Sequence, residues 1–406
     1  MKILMVTAGL PYPPHQGGAL RTYGIIQGLH KLGHEITLLS LDSRAAQEVK
    51  DSPLAQYCRQ IKMVAPPSRS KSERLRNLIL SREADISRRL YTDELTQALK
   101  QIMEQDRFDL IQFEGIEVAC YLPLAKAIFP DVKMCYDAFN AEAALQRVIY
   151  EVDRTQVKRW PMAFYSFIQS GRIEQFERML CKEADLVIAV SSEDAAILAQ
   201  YQPAYTIPVV PNGIFTHDYE WEGEKLDLGQ HALVFTGKMD YRPNVDAVIW
   251  FSKEILPEIQ AIIPAVRFYV VGQRPHPEVE KLRDLPGIQI TGWVKDVQPF
   301  LHGAAIYVAP LRMGSGTRLK ILEAMAAGCA VVATPLAASG IRNDEQNGMS
   351  IAKTEQEMIS TILALLNQTE KRDQMGQAAQ DYVKRHYDWS VLIPQLIEAY
   401  KGIGLG

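Results

Sequence analysis

No stretch of 18 consecutive apolar residues occurs in the 406-residue chain, so there is no candidate for a membrane-spanning helix. Cysteine is sparse. Cys58, Cys120, Cys135, Cys181 and Cys329 are odd in number, scattered and free of any C-x-x-C pair, which points to free thiols in a reducing compartment. No His/Cys cluster has metal-ligand spacing, and no short repeat or low-complexity tract is present. Positive charge is not in surplus: 44 Lys/Arg face 48 Asp/Glu, a formal net charge of −4, so no nucleic-acid partner is expected. What remains is ordinary for a soluble globular enzyme, with 47% hydrophobic and 23% charged residues. The length exceeds one compact core and fits two domains of about 200 residues each. The opening MKILMVTAGLP has too short an apolar core for a signal peptide and reads better as a first strand, making the cytoplasm the expected location.

Strand-like and helix-like segments alternate along both halves. The first half predicts strands at Lys2–Thr7, Glu35–Leu41, Gln60–Val64, Leu110–Phe113, Val132–Tyr136, Leu186–Val190 and Tyr205–Val209. Helices are predicted at Gly18–Leu32, Asp93–Gln105 and Ile173–Lys182. The second half predicts strands at Ala232–Thr236, Arg267–Val271, Ile288–Thr291, Ala305–Ala309 and Ala330–Ala333. Helices are predicted there near Val245–Ile255, Glu278–Asp284, Arg318–Ala327 and Gln356–Leu366. Strands apolar on both faces and separated by helices indicate an α/β class with two Rossmann-like, doubly wound domains. Their expected spans are 1–210 and 231–387, joined by a linker at 211–230 where apolar periodicity lapses. Ligands of such sheets bind outside the carboxyl ends of the strands, which predicts a cleft between the two domains.

The most informative stretch is Ala304–Pro335, a buried strand, a glycine-rich turn, a short helix and a second strand. Gly314-Ser315-Gly316-Thr317 opens the helix and Gly328 closes it as a C′ glycine. Glycines ahead of a helix admit a ligand close to backbone N–H groups, and the helix dipole attracts an anion. Glu323 is expected six residues into that helix, roughly 9 Å along its axis. An anion site and a carboxylate at that separation suit a nucleoside diphosphate whose ribose hydroxyls need an acceptor. The plainer alternative is a βαβ connection with a surface Glu, since a lone glycine-rich turn is a weak signal.

Seven blocks in order resemble the GT-B glycosyltransferases, in particular the retaining family 4. They are GLPYPPHQGGALR (from Gly9), SSEDAAIL (from Ser191), VVPNGI (from Val209), FTGKMDYRPN (from Phe235), VVGQRP (from Val270), TGWVKDV (from Thr291) and PLRMGSGTRLKILEAMAAGCAVVATP (from Pro310). The resemblance implies that the second domain binds a nucleotide-sugar donor and the first domain the acceptor. It also implies that 388–406 forms a helix crossing back to the first domain. Gly17 and Gly18 would meet the donor diphosphate or sugar. Gly237 and Lys238 lie in the loop that the family uses to neutralise the diphosphate. Lys238 matches the first cation of that loop; Asn244 falls near the second and Arg242 two residues early, so Arg242, Arg318 or Lys320 would substitute. Catalytic weight is thus expected on Glu323, Lys238 and Arg242. Glu323 matches the last Glu of the Glu-x7-Glu motif, whereas the first falls at Ser315. Trp293 and Val294 belong to the loop that meets the nucleobase, Trp293 being read as packing rather than stacking, and Gly272 to a strand end close to the nucleotide. The acceptor-side His position is occupied by Phe139, leaving Asn140 and Glu142 as polar candidates.

No Asp-x-Asp occurs, so neither a catalytic metal nor any cofactor beyond the donor substrate is expected. The function expected is metal-independent, retaining transfer of a sugar to a hydroxyl of a glycan, lipid-linked or small-molecule acceptor. A nucleotide-sugar epimerase, a phosphorylase or a non-catalytic nucleotide-sugar-binding partner are the alternatives. Residues 69–89 carry seven Lys/Arg against three Asp/Glu with Leu and Ile between them. That stretch is either a solvated helix face or a peripheral contact with the inner membrane face.

Overall fold

Each half of the chain closes into a six-stranded, all-parallel sheet in this computed structural model. It describes residues 1–14, 17–44, 46–70, 76–77, 80–155, 159–203, 205–221, 223, 226–313, 318–341 and 347–406. The first sheet holds β1 (Lys2–Thr7), β2 (Glu35–Leu41), β3 (Gln60–Val64), β4 (Leu110–Glu114), β5 (Lys133–Ala138) and β6 (Leu186–Ala189). The second holds β7 (Ala232–Thr236), β8 (Arg267–Val271), β9 (Ile288–Gly292), β10 (Ile306–Ala309), β11 (Val331–Ala333) and β12 (Met349–Ile351). The orders are β3-β2-β1-β4-β5-β6 and β12-β11-β10-β7-β8-β9. Counted from its own first strand and opposite edge, the second repeats the order of the first, that of a Rossmann-like domain. Ligand sites are therefore expected past the carboxyl ends of β1 and β4, and of β7 and β10, where the order reverses.

Burial on both faces explains why the central strands are nearly continuous Ile, Leu and Val. Each sheet has its own core: Leu4, Val6, Phe113 and Met134 in the first, Phe235, Val270, Ile306 and Met325 in the second, all fully buried. Helix starts follow sequence signals. Thr92, Ser191 and Thr354 accept hydrogen bonds from the backbone N–H three residues on, at 3.0–3.1 Å, each cap contributing about 1 kcal/mol.

The chain divides into two units, Met1–Asn212 with Leu392–Gly406, and Gly213–Val391. The helix Trp389–Lys401 thus ends in the first unit, where Leu392, Leu396 and Tyr400 are fully buried. Gly28 makes room for it: a β-carbon there would lie 2.2 Å from Ile393 Cγ1.

Three predicted elements differ. Tyr205–Val209 is not a strand; only Val209 bridges Ala189, because Pro208 offers a carbonyl but no N–H. The helix predicted at Ile173–Lys182 begins at Trp160 and runs to Glu183. The one predicted at Val245–Ile255 starts at Arg242, widens into a π turn at Phe251–Ile255 and continues to Ile262. Pro257 cannot donate to the carbonyl four residues back, and the wider turn accommodates its ring.

Candidate functional site

In the second unit the loops after β7 and β8 are zipped together by Gly237 N to Val271 O (3.0 Å) and Met239 N to Gln273 O (2.9 Å). Gly272, with φ +151°, sits so close that a β-carbon would lie 1.7 Å from the Gly237 carbonyl oxygen. This glycine serves loop packing directly. Gly237, φ +153°, leaves its own side-chain space to two neighbours, Lys320 Nζ at 2.6 Å and Asn244 Nδ2 at 2.7 Å from where a β-carbon would stand.

Lys320 and Glu323 lie one turn apart on the helix Leu319–Ala326, on the side turned toward β7 and the 3₁₀ turn Thr216–Tyr219. The Lys320 ammonium donates to Asn244 Oδ1 at 2.7 Å and lies 4.4 Å above the Phe235 ring. Asn244 in turn donates to the Lys238 carbonyl at 2.9 Å. Burial pushes the Lys320 amine down to about 7, with Glu323 raising it and Arg318 lowering it further. Glu323 accepts a hydrogen bond from the Tyr219 hydroxyl; burial raises its carboxyl, while Tyr219 and Lys320 act in the opposite direction. Tyr219 is itself held firmly protonated, by burial first and by the Glu323 charge second. A cation that can change charge near neutrality and an oriented carboxylate acceptor thus share one helix.

The helix starts at Leu319, capped by Arg318, so Glu323 is its fifth residue. It stands about 6 Å along the axis rather than 9 Å. Gly314, Ser315, Gly316 and Thr317 lie outside the described residues. Just before them Arg312 is anchored, bidentate to Asp246 at 2.8 and 3.0 Å and stacked over Trp250. Lys238 is exposed and only loosely paired with Asp240, at 3.6 Å. Arg242 is the first residue of the helix Arg242–Trp250 and is half-buried. Trp293 is not packed, contrary to the sequence reading. Gly292 turns the chain out of β9 at φ +71°, leaving the indole 72% exposed while Val294 packs on the core.

In the first unit a cavity of about 520 Å³ opens past the ends of β1 and β4. Gly18, Thr22, Arg44, Arg89, Glu114, Glu117 and Phe139 line it, together with the loop Thr7–Pro13. Phe139 is slotted between two glycines: β-carbons on Gly18 and Gly115 would stand 3.0 and 3.2 Å from its ring. Beneath the cavity lies a buried polar network. Arg21 binds Asp137 through two 2.7 Å hydrogen bonds and also donates to the Val210 carbonyl at 2.8 Å. Thr22 and Gln112 meet the two oxygens of Glu114 at 2.8 and 2.6 Å, and Tyr400 donates to Gln112 at 2.5 Å. Two buried carboxylates share one guanidinium, so Glu114 is raised, by burial first and by the Asp137 charge second.

Residues 16–218 match the family model Glycosyltransferase Family 4, and residues 230–368 match the model Glycosyl transferases group 1. The chain belongs to glycosyltransferase family 4. An uncharacterized 44.6 kDa protein of the cps region of Klebsiella pneumoniae is 20% identical over 398 residues, covering 95% of this chain and 96% of that one. A phosphatidyl-myo-inositol mannosyltransferase of Propionibacterium freudenreichii is 30% identical over 233 residues, 54% of this chain and 57% of that protein. The match thus spans little more than half of that relative. Among solved structures, sucrose-phosphate synthase of Thermosynechococcus elongatus superposes with TM-score 0.70 at 15% identity, covering 99% of both chains. HepE of Anabaena, solved with UDP, superposes with TM-score 0.68 at 13% identity over 99% of this chain and 100% of that one. These likenesses show the fold, the two Rossmann-like domains of GT-B enzymes.

In this family-4 glycosyltransferase the structure brings Gly237 and Lys320 together at Asn244, with Glu323 one turn along the same helix, and leaves Lys238 at the solvent. Asn140 and Glu142 are bonded to each other at 2.9 Å, and the start of their helix is capped by Glu177, which accepts from the backbone N–H of Glu142 and Ala143. Burial raises the Glu142 carboxyl. Sequence reasoning missed Arg21, Gln112, Glu114 and Asp137. For Gln112, Glu114 and Asp137 the signal was present as polar residues in otherwise apolar strands, LIQFE and KMCYDA; Arg21 lies on the Gly17–Lys31 helix.

Proposed function

We propose that this glycosyltransferase binds a nucleoside-diphosphate sugar in its second unit and transfers the sugar, with retention and without a metal ion, to an acceptor hydroxyl. The observation that carries this reading is the Lys320–Asn244–Gly237 constellation beside Glu323. The ammonium group answers the diphosphate charge that grows as the sugar–phosphate bond breaks. Glu323, oriented by Tyr219, accepts from the ribose hydroxyls. Lys320 fills the role left by Asn244 in the loop, and the unbroken backbone around Gly237 lets it approach. In the step proposed, the bond from the anomeric carbon to the phosphate oxygen breaks and the acceptor oxygen bonds to that carbon. The acceptor proton passes to the departing phosphate oxygen, giving nucleoside diphosphate and glycoside. No side-chain base is required, which accords with Phe139 standing at the acceptor side.

A UDP complex of HepE and a further one with UDP and glucose support a nucleotide-sugar donor. The mannosyltransferases among the relatives support an acceptor on a lipid, and the 520 Å³ cavity of the first unit is the place proposed for it. Ser315 and Phe139, where the family has Glu and His, favour a second reading as a non-catalytic nucleotide-sugar-binding partner. Calorimetry with UDP and GDP, followed by release of nucleoside diphosphate from a panel of donors and acceptors, tests both. Release dependent on acceptor supports transfer; tight binding without release supports the partner. Failure of Lys320→Met to weaken nucleotide binding would remove the basis of the assignment.

A further inference from the structure

The helix Trp160–Glu183 is inside out over its first three turns. Ala163, Ser166, Gln169 and Ser170 face the protein, whereas Trp160, Met162, Phe164 and Phe167 are between 52% and 63% exposed. Trp160, Phe164 and Phe167 stand at i, i+4 and i+7 and form one stripe. Normal polarity returns further along, where Ile173 and Leu180 are buried and Arg178 is exposed. The helix Glu142–Arg154 runs back beside it, joined by Gln146 to Ser166 at 2.9 Å and by the Tyr150–Phe167 ring contact at 5.4 Å. It adds the exposed Val148 and Val152. An apolar surface of this kind marks an interaction site.

Charge identifies the partner. Acids on the hairpin are answered: Glu151 by Arg154, Asp153 by Arg159 and Glu174 by Arg147. Residues 142–172 hold five Lys/Arg against three Asp/Glu, and residues 69–89 seven against three, in a chain of net charge −4. The described part of that basic stretch lies against the same helix. Tyr165 donates to Asp85 at 3.2 Å, Gln169 accepts from the Asp85 N–H at 2.9 Å, and Arg88 and Arg172 line one small cavity. Among the described residues of that stretch, Leu80 is an exposed apolar one, at 77%.

We propose that the Trp160–Phe167 face docks on an anionic lipid surface. Its rings enter the boundary between headgroups and acyl chains, and the exposed Arg82, Arg88 and Arg89 meet the lipid phosphates. The contact expected from sequence at 69–89 is then the electrostatic half only; the apolar half is on a different element. The proposal does not depend on which sugar is transferred or whether one is.

The test is sedimentation of the full chain with phosphatidylcholine vesicles, with and without phosphatidylglycerol. Binding is expected only with the anionic lipid, weakened by high salt and by Arg88→Gln/Arg89→Gln. The double change Phe164→Ser/Phe167→Ser should reduce partition by about tenfold or more. Because these residues are exposed, melting temperature and nucleotide binding should not change. Bromine-labelled lipid should quench tryptophan fluorescence of the wild-type chain, and Trp160→Phe should abolish that quenching. Equal partition of the wild type and the double variant, or no quenching on anionic vesicles, overturns the proposal. So does a wild-type dimer that the double variant converts to monomer, since a second copy would then own the face.

Discussion

At the scale of single residues, the proposed donor binding rests on Lys320 and Glu323. Lys320→Met should weaken the affinity for nucleoside diphosphate by about 10- to 100-fold, the worth of a charge-assisted hydrogen bond in a sheltered site; calorimetry reads it. The amine lies near 7 in the free protein against an ordinary 10.5. A diphosphate favours the ammonium form, so binding above pH 7 must take up a proton. Affinity should then fall with rising pH by up to about tenfold per unit, and binding heats should differ between buffers of different ionisation enthalpy. For the unliganded fold the sign is opposite: the unfolded chain holds the Lys320 proton between 7 and 10.5 and the folded one does not, so this residue makes stability rise through that window. Lys320→Met should remove both effects. Glu323→Gln should cost about 10- to 100-fold in nucleoside diphosphate affinity while leaving inorganic pyrophosphate binding unchanged. Loss of both would assign Glu323 to the phosphates rather than to the ribose.

At the scale of elements, the constellation forms because Gly237 and Gly272 carry no side chains: the β7 and β8 loops close on each other, and Lys320 and Asn244 fill the space left at Gly237. Gly272 and Gly328 separate two uses of the same residue type. Gly328 ends the Leu319–Ala326 helix at φ +78° with nothing within 4 Å of a would-be β-carbon, whereas at Gly272 the Gly237 carbonyl blocks that place. Gly328→Ala should therefore cost about 1 kcal/mol, the left-handed conformation alone. Gly272→Ala should cost about 2–4 kcal/mol and also weaken donor binding, because Gly237 must move. Urea unfolding of the two variants side by side measures the difference. Near-equal losses would show that the loops part easily and that Lys320 is not held by them. Helix Trp160–Glu183 teaches a related lesson. The helix predicted from sequence covered only Ile173–Lys182; in the turns before it the structure sets the aromatic stripe outward and buries Ser166 and Gln169.

At the scale of the molecule, the network under the first cavity ties β4, β5, the Gly17–Lys31 helix and the C-terminal helix into one unit. Glu114 keeps its proton in the folded state above its ordinary 4.5, whereas the unfolded chain releases it there. Its contribution is present below 4.5 and is lost as pH rises toward the raised value, so stability should decline from pH 4.5 into the neutral range. Glu114→Gln should flatten that decline in a series of melting curves; an unchanged profile would mean that Glu114 is ionised when folded. All strands of the two sheets except β12 were legible, because burial on two faces leaves long apolar, β-branched runs. The partnership of Lys320 with Asn244 was not, since 76 positions separate them and only the return of β10 beside β7 brings them together. Neither was the burial of Arg21 against Asp137, 116 positions away, nor the exposure of Trp293. Local preferences act over a few residues, so sequence alone determined all the sheet strands except β12, several of the helices and the kind of chemistry, but not helices such as Glu142–Arg154 and Thr369–His386. Which lysine comes to lie beside Asn244 and Gly237, and which apolar stripe faces water, were decided by packing, because contacts between distant segments are set only when the sheets close.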